Sequence, residues 1–150
     1  MNLLSRRSVL AIAAVVDVAL HSRSAPVAAK ALAARHKLPP RHLEGLLQGL
    51  VHAKILKGVR GPRGGYELAR ERRRITVGEI VRTAMSLSTA DPDALGANSA
   101  LIERVIDPAV GKAGETFLAH LDSITVEQMC EMAEKAHVLD DEKAAGDFAI

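Results

Sequence analysis

Two arginines set among glycines form the most chemically distinctive segment of the chain, residues 59–66, with the sequence VRGPRGGY. Glycine adopts turn conformations that other residues resist, and proline fixes the backbone at a turn position. Apolar residues flank the segment on both sides, so the pattern predicts a β-hairpin with Arg60 and Arg63 near its tip. Guanidinium groups presented in this way fit the narrow, negatively charged minor groove of duplex DNA.

Two helices are predicted immediately before this hairpin. The first spans residues 27–36, and the second begins at Pro40 after a tight turn. The second helix has a polar face with Arg41, His42 and Glu44. Its opposite, buried face is formed by Leu43, Leu46, Leu47, Leu50 and Val51. Two such helices alone fit an ordinary helical hairpin equally well, but a following β-hairpin is typical of winged helix-turn-helix domains that bind DNA.

An earlier helix is predicted near the N-terminus. Its apolar face excludes Asp17 and His21 and is formed by Val9, Ile12, Ala13, Val16, Ala19 and Leu20. Arg6, Arg7 and the apolar run after them also resemble a twin-arginine export signal. Because Asp17 interrupts that run and no run reaches membrane-spanning length, we expect a core helix in a cytoplasmic protein without a membrane partner. Export is the less favoured alternative.

Charge is distributed unevenly along the 150 residues. Residues 1–76 contain 15 Lys and Arg against four Asp and Glu, whereas residues 77–150 contain five against 14. A basic half is typical of a polyanion-binding protein. Aromatic residues make up only 2% of the chain, which disfavours the stacking platforms that bind single strands and favours double-stranded DNA. The glycine-rich segment lacks the Gly-Lys-Ser/Thr ending of a phosphate-binding loop, so an enzyme is not predicted.

Four sequence segments resemble the Rrf2 family of bacterial transcription factors. They are DVAL at residues 17–20, HLE at 42–44, VRGPRGGY at 59–66 and TVGEI at 76–80. The resemblance is close through about Ala84 and implies a fold that is mainly α with a small β-hairpin. It further implies a homodimer that binds a pseudo-palindromic operator. The expected function is therefore sequence-specific transcriptional regulation, as a repressor; the alternative is an interaction module that kept the fold without binding DNA.

The resemblance also implies roles for individual residues. Arg60 becomes the minor-groove residue of the wing, His42 and Glu44 lie on the base-reading face, and Ser5 and Arg6 lie near phosphates. Arg63 stands where relatives often have glycine, and we expect it to add nonspecific attraction to DNA.

The family's iron–sulfur ligands are missing from this sequence. Cluster-binding relatives have three cysteines between the winged domain and the dimerisation helix, whereas residues 86–107 contain neither cysteine nor histidine. The single cysteine, Cys130, falls on an apolar helical stripe and is interpreted as a packing residue. We therefore expect no iron–sulfur cluster and no metal site, and the sequence does not specify an effector.

Apolar helical surface after residue 100 exceeds what a small winged domain covers. Val105, Val110, Phe117 and Leu121 are the predicted dimerisation residues, with packing onto the chain's own winged domain as the alternative. Asp107 and Pro108 are interpreted as a helix cap and a first helical residue. The predicted organisation is a winged domain over residues 1–84, a linker and dimerisation helix over 85–124, and a C-terminal helix with an acidic tail over 125–150.

Overall fold

A computed structural model describes residues 3–88 and 99–147. The described chain is mainly helical with one two-stranded antiparallel sheet, which confirms the predicted fold class. A 3-10 turn covers Arg72–Arg74, and a π-helical turn covers Ile102–Ile106. The remaining elements in chain order are α1 Arg6–His21, α2 Ala29–Arg35, α3 Arg41–His52, β1 Leu56–Val59, β2 Gly65–Leu68, α4 Val77–Ser86, α5 Asp107–Asp122, α6 Val126–Lys135 and α7 Val138–Asp147.

Helix α1 runs through the core, and its N-terminus is capped by Ser5, whose Oγ accepts a hydrogen bond from the Ser8 amide at 3.1 Å. The prediction of which face of α1 is buried was partly wrong. Val9, Ile12, Ala13, Val16 and Leu20 are only partly buried, and the fully buried side chains are Ala11, Ala14, Val15 and Val18. Asp17, expected off the core face, is also buried because side chains from α2 and the following turn neutralise it.

The helix-turn-helix is formed by α2 and α3. The four leucines predicted for the buried stripe of α3 are fully buried, whereas Val51, the fifth residue of that stripe, is only partly buried. Helix α2 begins at Ala29 rather than at Val27. Val27 instead forms an antiparallel bridge with Tyr66 of β2, donating its amide at 2.9 Å and accepting at 2.8 Å. A residue that pairs its backbone with a strand cannot also begin a helix, and this pairing attaches the hairpin to the segment before α2.

The C-terminal part of the chain returns to the winged domain at two adjacent helix caps. Thr76 caps α4 and Thr125 caps α6, each with a reciprocal capping box. The two threonines also form an antiparallel bridge, in which the Val77 amide donates to the Ile124 carbonyl at 2.8 Å. Val126 and Cys130 of α6 then join the core around α1, so the segment after residue 125 packs with residues from the first 84.

The start of α5 differs from the predicted cap. Asp107 is not a free helix cap, because the backbone is already helical through the preceding π-helical turn. The Asp107 amide donates to the Ile102 carbonyl, five residues back. This wider turn lies immediately before Pro108, which has no amide hydrogen to continue the helical pattern.

Burial of Asp17 leads to a first prediction. The Asp17 carboxylate accepts from Arg35 Nε at 2.9 Å and Nη2 at 2.6 Å, and it lies 3.0 Å from His36 Nε2. Burial raises the pKa of Asp17, but hydrogen bonds from Arg35 and His36 outweigh burial and hold it below its ordinary value of 3.8. We expect Asp17→Asn to lower the free energy of unfolding by about 3 kcal/mol, measured by urea denaturation at pH 7.

The pH dependence of this difference has a defined sign. A lowered folded-state pKa stabilises the protein above the ordinary value of 3.8, and this stabilisation is lost as the pH falls through the folded-state pKa. The gap between wild type and Asp17→Asn should therefore be constant near neutral pH and shrink below about pH 4. Asp140→Asn, which alters an exposed carboxylate, is the control and should change stability by less than about 0.5 kcal/mol. Equal stabilities of wild type and Asp17→Asn would contradict this account.

Candidate nucleic-acid interface

A basic groove lies between the N-terminal half of α1 and the start of α3. It has a volume of about 630 Å³, and its polar lining includes Arg6 and Arg7 on α1 and Arg41 and His42 on α3. Apolar residues form its floor, including Leu10 and Leu46. Three cationic guanidinium groups beside an exposed helix start form a surface suited to phosphates.

The first turn of α3 presents its polar residues to solvent. Arg41, His42 and Glu44 are exposed, whereas Leu43 between them is fully buried. This alternation follows from the helical period, which turns Leu43 toward the core and its neighbours away from it. Gly45 also lines the basic groove, and a side chain there would meet no atom within 4 Å. The start of α3 therefore offers both exposed polar groups and open space.

The hairpin carries Arg60 and Arg63 in the connection between β1 and β2, and both side chains are exposed. The two strands pair from Leu56 opposite Leu68 to Val59 opposite Gly65. The connecting turn contains Gly61 at φ +117°, a conformation that favours glycine, and the Gly64 amide donates to the Gly61 carbonyl at 2.9 Å. The sequence therefore places both arginines at the end of a short hairpin.

The base of the hairpin packs tightly against the segment before α2. A side chain at Gly65 would collide with the Val27 carbonyl group, whereas one at Gly58 on the opposite strand would meet nothing within 4 Å. The close approach allows the two hydrogen bonds between Val27 and Tyr66. The direction of the hairpin relative to the helix-turn-helix is fixed at this contact.

Five of the seven residues predicted to contact DNA fall into two groups. Arg6, Arg41 and His42 line the basic groove, while Arg60 and Arg63 lie on the hairpin connection. The other two belong to neither group: Ser5 is exposed, but its hydroxyl oxygen caps α1, and Glu44 is exposed in the first turn of α3. Two further residues, Arg7 and His36, line the groove but are not among the predicted DNA contacts.

Arg6 is predicted to lie near phosphates, whereas Arg7 enters the prediction only through the twin-arginine resemblance; both arginines line the basic groove. His36 follows directly after α2, and its ring reaches both the groove and the buried Asp17 carboxylate. Arg7 could have been predicted from its place in the first turn of α1, beside Arg6. The place of His36 depends on a tertiary contact with Asp17, 19 positions earlier in the chain.

The predicted dimerisation residues also divide into two groups. Val105 and Val110 are 57% and 64% exposed. Leu121 is only 8% exposed and packs with Val77 and Val81 of α4, and Phe117 packs against the same cluster. In this chain, therefore, the C-terminal end of α5 is covered by the winged domain and its N-terminal end is not.

The described residues contain no group of three or more His, Cys, Asp or Glu that could hold a metal ion. Cys130 is buried, and this burial raises the pKa of its thiol. Thiolate ligation of an iron–sulfur cluster by this chain alone does not fit a single buried cysteine. Among the helices of residues 3–88 and 99–147, none has the length and apolar character needed to cross a bilayer.

Comparison with known proteins identifies relatives of both the sequence and the fold. The profile of the Rrf2 family, described as "Iron-dependent Transcriptional regulator", matches residues 4–132. The HTH-type transcriptional regulator IscR of Vibrio atlanticus is 39% identical over 71 residues, which are 47% of this chain and 41% of that protein. This chain spans about half the length of the curated relatives it matches.

Solved structures extend the similarity over most of the chain. IscR of T. potens has a TM-score of 0.69 and 34% identity, and the match covers 89% of each chain. CymR, the global cysteine regulator of B. subtilis, has a TM-score of 0.64 and 25% identity, and the match covers 88% of this chain and 98% of that one. These relatives are transcriptional regulators rather than enzymes.

The close packing at Gly65 generates a second prediction. Gly65→Ala should lower the free energy of unfolding by about 2 kcal/mol, because the backbone at Val27 must move to make room for a methyl group. Gly58→Ala is the matched control, since it adds the same group to the opposite strand in open space and should change stability by less than about 0.5 kcal/mol. Urea denaturation measures both. Equal effects of the two substitutions would show that the hairpin is not held at Gly65.

Proposed function

The chain belongs to the Rrf2 family of transcriptional regulators, and from this premise we propose that it binds double-stranded DNA as a sequence-specific regulator. The observation that carries the proposal is the basic groove, in which Arg6 and Arg7 of α1 adjoin the exposed first turn of α3. A recognition helix enters the major groove with its N-terminal residues toward the bases, while neighbouring cations contact phosphates. His42 and Glu44 are the base-reading candidates.

The hairpin is the second DNA-binding element of the proposal. Arg60 follows directly after β1, where strand pairing restricts its direction, whereas Arg63 lies within the glycine-containing turn. We assign to Arg60 an insertion into the minor groove with a preference for A·T pairs, whose groove is narrower and more negative. Arg63 contributes mainly nonspecific attraction to phosphates.

The regulator acts as a homodimer on a pseudo-palindromic operator. An apolar surface at the N-terminal end of α5 and the turn before it supports this part of the proposal: Val105, Ile106 and Val110 are all exposed in the single chain. Exposed apolar residues in such a group are typical of a subunit contact. Two copies related by a twofold axis would present their α3 helices to major grooves about one helical turn apart. Repression requires only that this dimer occlude a promoter.

DNA binding by this chain is proposed to be independent of an iron–sulfur cluster. The family description names iron, but the described residues offer no set of ligands for it, and Cys130 is in the core. Protein purified in the presence of EDTA should therefore still bind duplex DNA.

Removal of one wing arginine tests the function directly. Arg60→Ala should weaken binding to a duplex selected from a random library by about 1 to 3 kcal/mol, because a minor-groove cation is lost. It should also reduce the dependence of affinity on salt by about one ion per half-site. Arg63→Ala should reduce the salt dependence with little change in A·T preference. Fluorescence anisotropy over a salt series, on operators with A·T or G·C flanks, measures both effects.

Lys135→Ala is the control, because it removes one positive charge from the C-terminal end of α6. It should leave affinity nearly unchanged. If Arg60→Ala equals wild type at every salt concentration, the hairpin is not a DNA wing. If the wild-type protein shows no salt-sensitive binding to duplex DNA, the chain is instead an interaction module on the same fold.

Charge placed on the exposed end of α5 tests the homodimer. Val110→Glu should dissociate the dimer at micromolar concentration and weaken operator binding at least tenfold, because a carboxylate would be buried in an apolar contact. Val110 is 64% exposed in the single chain, so the substitution should not unfold the subunit. Light scattering and anisotropy measure the two effects. Met85→Glu, at a methionine that is 57% exposed on α4, is the control. A monomeric wild type with full operator affinity would refute the dimer.

A further inference from the structure

An apolar cavity of about 570 Å³, open to solvent on one side, lies between α1 and the C-terminal helices α6 and α7. Its walls are almost entirely apolar: α1 contributes Ile12, Val16 and Leu20, and α6 contributes Met129 and Met132. This volume lies within the range of small-molecule sites in proteins. Methionine side chains are unbranched and adaptable, which suits a wall that must fit an irregular ligand.

The apolar face of α1 described above explains how this cavity arises. Ile12, Val16 and Leu20 belong to the stripe that the sequence predicts to be buried, yet they are only partly buried. The alanine face of α1 forms the core instead. The larger apolar side chains are therefore left to line the cavity.

Four of the lining residues carry polar side chains: Asp17, His21, His36 and Glu142. The Glu142 carboxylate of α7 accepts a hydrogen bond from His21, whose Nε2 lies 2.8 Å from Glu142 Oε2. Asp17 likewise lies 3.0 Å from His36 Nε2. The two carboxylates thus already hold the two imidazole rings. Of the two carboxylates only Glu142 is partly exposed, so it would repel an anionic ligand group and would accept a hydrogen bond from a ligand N–H or O–H.

The cavity and the basic groove share part of their lining. Val9, Ala13 and His36 border both. His36 also holds Asp17, which fixes α2 to α1 through Arg35. A molecule in the cavity would therefore contact residues that also form the surface proposed to receive DNA.

We propose that this cavity binds a small, uncharged, mainly apolar molecule that carries an N–H or O–H group, and that its occupancy changes the affinity for DNA. The regulatory part rests on the proposed DNA-binding function. The binding part stands on the cavity alone, so the two can fail separately.

The probe N-phenyl-1-naphthylamine tests the binding part, because it is apolar, uncharged and has one N–H group. Its fluorescence should rise saturably on titration with wild-type protein, with a dissociation constant in the micromolar range. The sulfonated analogue 1-anilinonaphthalene-8-sulfonate should bind at least tenfold more weakly at pH 7.5, because its anionic group would face the partly exposed Glu142 carboxylate. Equal affinity of the two probes would overturn the assignment of an uncharged ligand.

Two methionines with nearly equal exposure provide a matched pair of variants. Met132 lines the cavity and is 59% exposed, while Met85 lies on α4 and is 57% exposed. Met132→Glu should lower the affinity for the probe at least tenfold, and Met85→Glu should leave that affinity unchanged. Ala133→Phe, which fills the cavity from the same helix as Met132, should also lower the affinity for the probe. The absence of saturable binding, or equal behaviour of the Met132 and Met85 variants, would overturn the site.

A second copy of the chain is the competing occupant of this apolar surface. If Met132→Glu dissociates the dimer in light scattering while Met85→Glu does not, the surface is a subunit contact and the ligand proposal is wrong.

Anisotropy with the selected duplex tests the regulatory part. Saturating probe should change the DNA affinity of the wild type at least threefold and leave that of Met132→Glu unchanged. Probe binding without any change in DNA affinity would refute regulation by this cavity. Probe binding by a protein that binds no DNA at all would refute the proposed function and leave the cavity as a binding site.

Discussion

The buried Asp17 carboxylate is the interaction on which the arrangement of the helices depends. A buried charge is strongly unfavourable unless it is paired, and Asp17 is 5% exposed. Arg35 and His36, at the end of α2, satisfy it from across the helix pair. The carboxylate therefore specifies how α2 lies on α1, and α3 follows from α2 through one short turn. His21, one turn after Asp17, extends the same set of contacts to Glu142 of α7.

Local patterns in the sequence predicted the elements better than they predicted burial within them. The leucine spacing of α3 and the glycines and proline of the hairpin each determine structure over a few residues, and both predictions were confirmed. The face of α1 was misassigned because alanine is a weak apolar signal and aspartate a strong polar one. The hydrophobic periodicity of α1 does not show that Arg35, 18 residues later in the chain, neutralises Asp17. The same limit applies to Val27, whose conformation is set by Tyr66.

The candidate DNA-binding surface was predictable where one short segment determines exposure. Arg60 and Arg63 follow from the turn, and Arg41 and His42 from the helical period. The apolar residues of α5 could not be assigned in this way, because an apolar stripe predicts that a helix face is buried but not which surface buries it. Leu121 and Phe117 are covered by α4 of their own chain, while Val105 and Val110 are not. The covered residues lie close to α4 and the exposed ones lie far from it along α5. The packing of α5 on α4 is a tertiary contact, which the sequence pattern of α5 does not show.

The paired caps at Thr76 and Thr125 have a mechanical consequence. Helix α5 ends beside this bridge, and Arg82 of α4 holds Asp122 at the last residue of α5 through a bidentate ion pair. Gly78 allows that close approach, since a side chain there would collide with Asp122. The ten residues of α5 before Phe117 extend beyond this contact as a lever arm about 15 Å long, with its fulcrum on the winged domain. Tilting this arm by about 10° displaces its far end by roughly 3 Å, so a small rotation at the fulcrum becomes a larger displacement at the far end of the helix.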